Sequence, residues 1–255
     1  MLYRSNRNNA GLLGVLIALT ACLTLCGCVT VYNPATERRE TLFMDTAAEV
    51  ALGKELDAEL HKKMKFATDP AQLARVRNIG QRVARYSDRQ DLHYVFQVVE
   101  DKTLNAFAVP GGYVYIHSGL AQTANDAELA GVIAHEIGHI AARHSVKQLQ
   151  GLMGFQLLMG IVTGASGQLP VSQALSVVFD LANLGYSRKD ELLADKLAVR
   201  YTRRAGYSPL GIVTFFHKLE TDAAQKGRSA PPVFLSSHPP TKQRIAQVEE
   251  EMRKR

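Results

Sequence analysis

The chain has 255 residues, 46% hydrophobic and 21% charged, a balance ordinary for a globular protein of about one domain with a sizeable core. The formal net charge of +6 is spread out, densest at Met252–Arg255, and no Arg/Lys stripe interleaved with aromatics is present, which argues against a nucleic-acid partner. All three cysteines, Cys22, Cys26 and Cys28, lie near the N-terminus, which excludes a disulfide framework or cysteine–zinc ligation in the rest of the chain.

Arg4 and Arg7 precede an uncharged run from Ala10 to Leu25, the n-region and h-region of a secretory signal. A single membrane span is the competing reading, for which the run is near the lower limit of length. The cysteines that end the run favour the signal. They resemble a bacterial lipoprotein signal, in which a small residue precedes a cysteine that is lipidated and becomes the new N-terminus. Gly27-Cys28 and Ala21-Cys22 both fit. The second lies closer to the usual pattern, whereas the first leaves a polar segment in place of further apolar residues. The expected organisation is a signal over 1–28 ending at lipidated Cys28 (alternatively Cys22), a tether over 29–44, and one domain over 45–255. Neither placement puts aspartate after the cysteine. By resemblance to lipoprotein sorting in two-membrane bacteria, that implies an outer-membrane anchor facing the periplasm.

Helical spacing of apolar residues predicts helices over Asp45–Lys65 and Pro70–Tyr86. The period then changes: His93–Glu100, Ala106–Pro110 and Tyr113–His117 read as strands, the last two around the turn Pro110-Gly111-Gly112. Asp126–Lys147 reads as one long helix carrying the segment HEIGH. Gly151–Leu184 is apolar but broken by glycines and Pro170, and predicts two buried helices. Arg188–Arg204, Pro209–Glu220 and Thr241–Arg253 are further predicted helices, with a polar loop over Lys226–Pro240. The expected class is α+β, mostly α-helical, with one small β-sheet beside the active-site helix.

Residues four apart on a helix differ by about 40° in azimuth and about 6 Å along the axis. His135 and His139 therefore present two imidazoles to one Zn²⁺. Glu136 is turned about 60° from His139, able to lean over the open position as a general base. The flanking Val132, Ile133, Ile137 and Ile140 make this a buried helix, where two histidines need a partner; a chance HExxH match on a surface helix lacks that constraint. The extended HExxHxxGxxH pattern fails here, since Ala142 and Ser145 occupy its glycine and third histidine positions. On a continuous helix His144 lies about 180° from His135, and reads as a surface or satisfied histidine. Glu191 and Asp195, four apart on a predicted helix, are the candidates for third ligand and for acceptor of a ligand histidine's N–H. An exposed helix acid is the plainer account of Glu191 taken alone; the combination is what singles it out.

HEIGH followed some 50 residues later by Ser187-Arg188-x-x-Glu191-x-x-Ala194-Asp195 resembles the zinc metallopeptidase family of the CAAX prenyl proteases, HtpX and the Oma-type proteases. The similarity covers most of 45–250. The small lipoprotein and periplasmic members such as LoiP and YcaL match better than the membrane-embedded ones, or than BepA with its helical repeats. The resemblance implies a gluzincin-like domain with one Zn²⁺, Glu191 as third ligand and Asp195 as a proton donor. It likens Asn105–Tyr113 to the strand segment beside the family's cleft, with Asn105, Ala106 and Ala108 toward substrate, and Ser237–Thr241 to its His-Pro loop.

These readings predict a zinc endopeptidase that takes extended peptide along Ala106–Val109 as an added strand. Its substrates are expected to be unfolded or misassembled envelope proteins. His238 either stabilises an oxyanion, plugs the zinc site, or is an ordinary loop histidine. The rival from another class is a lipoprotein chaperone for outer-membrane proteins, with the outer-membrane assembly machinery as partner and its proteolysis latent.

Overall fold

The computed structural model describes residues 29–163, 170–225, 234, 236, 238–239 and 242–254. The candidate acylation sites Cys22 and Cys28 lie outside the described residues, as does most of the 226–240 loop.

The core is organised around one helix. Asn125 caps it, its side chain accepting from Glu128 N–H while Glu128 accepts from Asn125 N–H, a reciprocal box that fixes the start. From this cap α4 (Asp126–Ala141) runs with every residue from Glu128 to Ala141 buried. Such burial needs neighbours on all sides. They are α2 (Pro70–Ala84), α7 (Arg188–Arg204), α8 (Gly211–Gln225) and a three-stranded sheet.

The sheet has the order β3 (Val95–Val99), β5 (Tyr113–His117), β4 (Ala106–Val109), with β3 and β5 parallel and β4 antiparallel to β5. The β4–β5 turn uses Gly111 and Gly112, whose φ of 81° and 100° L side chains rarely adopt. Phe96, Val98, Ala108, Val114 and Ile116 join the core around α4. Val99, Phe107, Val109 and Tyr115, on the other face, pack against Leu56 and Leu60 of α1 (Thr46–Lys63). Leu149 of α5 (His144–Thr163) and Leu175 and Val178 of α6 (Val171–Leu184) complete that second cluster. A short α3 (Ser118–Thr123) follows the sheet, and α9 (Lys242–Arg253) closes the chain. The class is α+β and mostly helical, as expected, and no helix among the described residues is long and apolar enough to cross a membrane.

Two expectations need correction. The segment expected to be a tether is an antiparallel hairpin, β1 (Val29–Asn33) with β2 (Arg38–Leu42), so a second sheet accompanies the expected one. Polar side chains dock it: Asn33 Nδ2 donates to Ala141 O, Lys147 Nζ to Glu40 Oε1, and Gln150 Nε2 to Thr41 O. β1 (Val29-Thr30-Val31-Tyr32-Asn33) carries a short alternation, but β2 (Arg38-Arg39-Glu40-Thr41-Leu42) is polar and gives the pair no apolar pattern to read. The second correction concerns the helix expected to run from Asp126 to Lys147. It breaks at Arg143, where φ is 55°, and α5 sets off from His144 in a new direction.

Candidate metal centre

His135 and His139 project from α4 with no solvent exposure, their Nε2 atoms 3.0 Å apart. Across from them α7 supplies Glu191, whose Oε2 lies 3.3 Å from His135 Nε2 and Oε1 3.4 Å from His139 Nε2. The approach of α7 depends on Gly138, where a Cβ would come within 3.0 Å of Ala194 O and 3.1 Å of its Cα. Ser187 caps α7 by accepting from Asp190 N–H, which sets the register that turns Glu191 and Asp195 inward together.

His238 joins this group. Its Nδ1 is 3.2 Å from His135 Nε2 and 3.0 Å from Glu191 Oε1. The segment that carries it is held by His238 N–H to Phe234 O, a bond of helical spacing, and by Phe234 N–H to Leu104 O, just ahead of β4. One donor atom each from His135, His139, Glu191 and His238 lies within 4.8 Å of the others, and all four residues are buried. Ligands about 2.0–2.1 Å from one tetrahedral Zn²⁺ lie about 3.3 Å from each other, so the spacing and the nitrogen–carboxylate set fit zinc. Glu136 sits alongside, its Oε1 without a hydrogen-bond partner and 3.5 Å from His238 Nε2. Burial raises its carboxyl above the ordinary range, against the pull of His238 and His135. A buried carboxylate beside four converging donors, with His238 as its ionic neighbour, has the placement of a general base.

The outer contacts orient the donors. Asp195 Oδ1 lies 2.9 Å from His135 Nδ1, though out of line with the ring N–H. His139 is held on two sides: Tyr186 stacks on its ring at 3.9 Å between centroids, and His144 Nδ1 is 2.9 Å from its own Nδ1. His144 is satisfied, as expected, but it is buried at the site and not on the surface, because the turn at Arg143 swings it back. Arg244 of α9 went unread in the sequence. It donates to both oxygens of Asp195, its Nη1 lies 2.8 Å from Glu191 Oε2, and it is 1% exposed. No local pattern marks it, since an arginine on a charged C-terminal helix has the composition of a solvated residue.

β4, expected beside substrate, is an edge strand, and its residues Ala106–Val109 are buried. Asn105 O accepts from His117 N–H, so the alternation of the ladder directs the Ala106 and Ala108 backbone groups away from β5.

Two histidines one turn apart and a glutamate from a second helix define a buried metal site of the kind metallopeptidases use. Residues 70–252 match the model of Peptidase family M48, and the chain belongs to that family. It is 26% identical to the metalloprotease LoiP of Escherichia coli strain K12, over 93% of this chain and 96% of LoiP. With the mitochondrial metalloendopeptidase OMA1 of Schizosaccharomyces pombe it shares 30% identity, over 77% of this chain and 58% of that protein. The beta-barrel assembly-enhancing protease of E. coli K12 is 23% identical over 89% of this chain; the chain spans about half the length of that relative.

Proposed function

We propose that the protein is a zinc-dependent endopeptidase of the bacterial cell envelope, held to the outer membrane by lipid on Cys28 or Cys22 and facing the periplasm. Its substrates on this reading are unfolded or misassembled envelope proteins. The observation that carries the catalytic part is the convergence of His135, His139 and Glu191 with the buried Glu136 carboxylate beside them. The likeness to the metalloprotease LoiP along nearly its whole length supports the peptidase reading, and the likeness to a beta-barrel assembly-enhancing protease supports the envelope setting.

His135, His139 and Glu191 would hold the ion, which when bound supplies a Lewis acid for the scissile carbonyl. Glu136 takes the proton of the attacking water and later hands it to the leaving amine. Arg244 and Asp195 fix His135 and Glu191 in place, Asp195 acting through its contact with His135. An extended peptide pairs with the outward backbone groups of Ala106 and Ala108, with Asn105 at the start of that edge, and so binds with little sequence selection.

His238 Nδ1 lies among the donors, which favours the plug over the oxyanion role. It also keeps a second reading in view: a chaperone-like lipoprotein working with the outer-membrane assembly machinery, its proteolysis latent. The deciding experiment measures zinc content and casein cleavage by the wild type and Glu136→Gln. Equal cleavage by both would sink the mechanism; zinc bound with no cleavage by either points to the latent reading.

A further inference from the structure

The hairpin does more than cover the end of α4. Its cross-strand pairs sort its side chains into two faces. Val31, Asn33, Glu40 and Leu42 turn toward the body, with Asn33 and Leu42 buried. Thr30, Tyr32, Arg39 and Thr41 turn outward, and all four are exposed. Tyr32 is 61% exposed and stands opposite Arg39; Phe43, one residue past β2, is 40% exposed. Large exposed apolar residues are normal when scattered. Among the described residues there are four; Tyr32 and Phe43 belong to the outward side of the hairpin, whereas Val29 pairs with Leu42 on the other. Glu37, Arg38 and Arg39 are all exposed in the same stretch, and half-buried Glu40 is paired with Lys147; Arg38 pairs with Asn33 on the other side, so the charge on the outward face itself is that of Arg39.

We propose that this outward face, led by Tyr32 with Arg39, Thr30 and Thr41 and with Phe43 beside it, rests on an anionic phospholipid bilayer and sets the orientation of the peptidase site above it. The inference rests on the lipid anchor proposed above. Extended chain covers at most about 3.6 Å per residue. An acyl group on Cys28 therefore leaves Val29 at the headgroup layer and Tyr32 no more than about 14 Å from it. The residues that would give slack to a tether are used up in a docked hairpin. Ring systems with a polar tip and guanidinium groups suit a lipid headgroup layer, the first through mixed polarity and the second through charge.

The chain contains no tryptophan, so a single introduced one is a clean reporter. Full-length Tyr32→Trp is reconstituted in phosphatidylethanolamine/phosphatidylglycerol vesicles carrying acyl-brominated phospholipid. The control is His217→Trp, an exposed position on α8. α8 reaches the opposite end of α4 through Lys218 and Glu128, about 20 Å from Ala141 where the hairpin docks. The expected result is loss of most of the emission at 32, none at 217, and recovery of emission at 32 when Arg39→Glu is added. Circular dichroism melts show whether each variant is folded. Protein that floats with the vesicles but shows equal, weak quenching at both positions overturns the docking and leaves the anchor standing. A blue-shifted but unquenched Tyr32→Trp signals burial against protein, a second copy or a partner, and also overturns it. Failure to float removes the anchor and the docking together.

Discussion

Arg244 grips both oxygens of the Asp195 carboxylate, at 2.6 and 2.7 Å, and so ties the last helix to the helix that carries Glu191. The contact holds Asp195 below the usual carboxylate range even though burial works the other way. Arg244→Ala leaves two buried carboxylates without their cation, a loss of about 3–5 kcal/mol. Arg244→Lys restores the charge but not the fork, and should recover only part. Urea unfolding with bound zinc counted beside it checks both, and wild-type stability in Arg244→Ala would contradict the role.

Glu136→Gln keeps the size of the side chain and removes the base. Casein hydrolysis should fall roughly 10²–10⁴-fold while zinc stoichiometry stays at the wild-type value. Loss of zinc in the same variant would instead make Glu136 a ligand.

Removing the ion leaves His135, His139 and Glu191 converging in a buried space. Chelation should lower the melting temperature, and zinc at a thousand times its dissociation constant should restore about 4 kcal/mol. A melting curve indifferent to chelator would argue that no ion sits there.

At Gly138 the two ligand-bearing helices come closest. Gly138→Val inserts three carbons against Ala194 and should cost roughly 1–3 kcal/mol by overpacking. Because the strain pushes α7 away, zinc affinity should drop as well, which a competition titration with a chromogenic chelator reads directly.

Glu40 offers a pH signature outside the metal centre. Burial raises its pKa, but hydrogen bonds from Lys147, Asn33 and Thr36 outweigh this and bring it below the ordinary 4.5. A depressed folded pKa contributes stability that is present above the unfolded value and lost as pH falls through the folded one. The difference in urea midpoint between wild type and Glu40→Gln should therefore hold at neutral pH and shrink below about 4.5. A constant difference would show that Glu40 is not coupled to the hairpin's docking.

Much of this site can be read from spacing because its parts are local. His135, Glu136 and His139 share one turn, and Glu191 and Asp195 share another, so helix geometry alone aligns each set. The strands β3 to β5 show through their Val, Phe and Tyr content. What escapes is held by long-range contact. Arg244 meets Asp195 across 49 positions, and nothing near either announces the other. His144 lies at the site and not on the far side of a continuous helix because a single residue, Arg143, takes a positive φ that ends the helical register. The hairpin is hard to read because both strands are five residues long and β2 is polar, while its docking onto Ala141 and Lys147 is made by contacts more than 100 positions away.

The stretch between Phe234 and His238 touches the enzyme at two places with different uses. Phe234 N–H occupies the carbonyl of Leu104, at the head of the strand edge, while His238 stands among the metal donors. On the proposed reading, a peptide pairing along β4 as far as Leu104 would have to displace Phe234, and His238, bonded to Phe234 O through its own N–H, would be loosened with it. Substrate arrival and unblocking would then be one competition for a single carbonyl. Short peptides that stop before Leu104 would leave His238 in place, so that chain length, more than sequence, would decide what is cut.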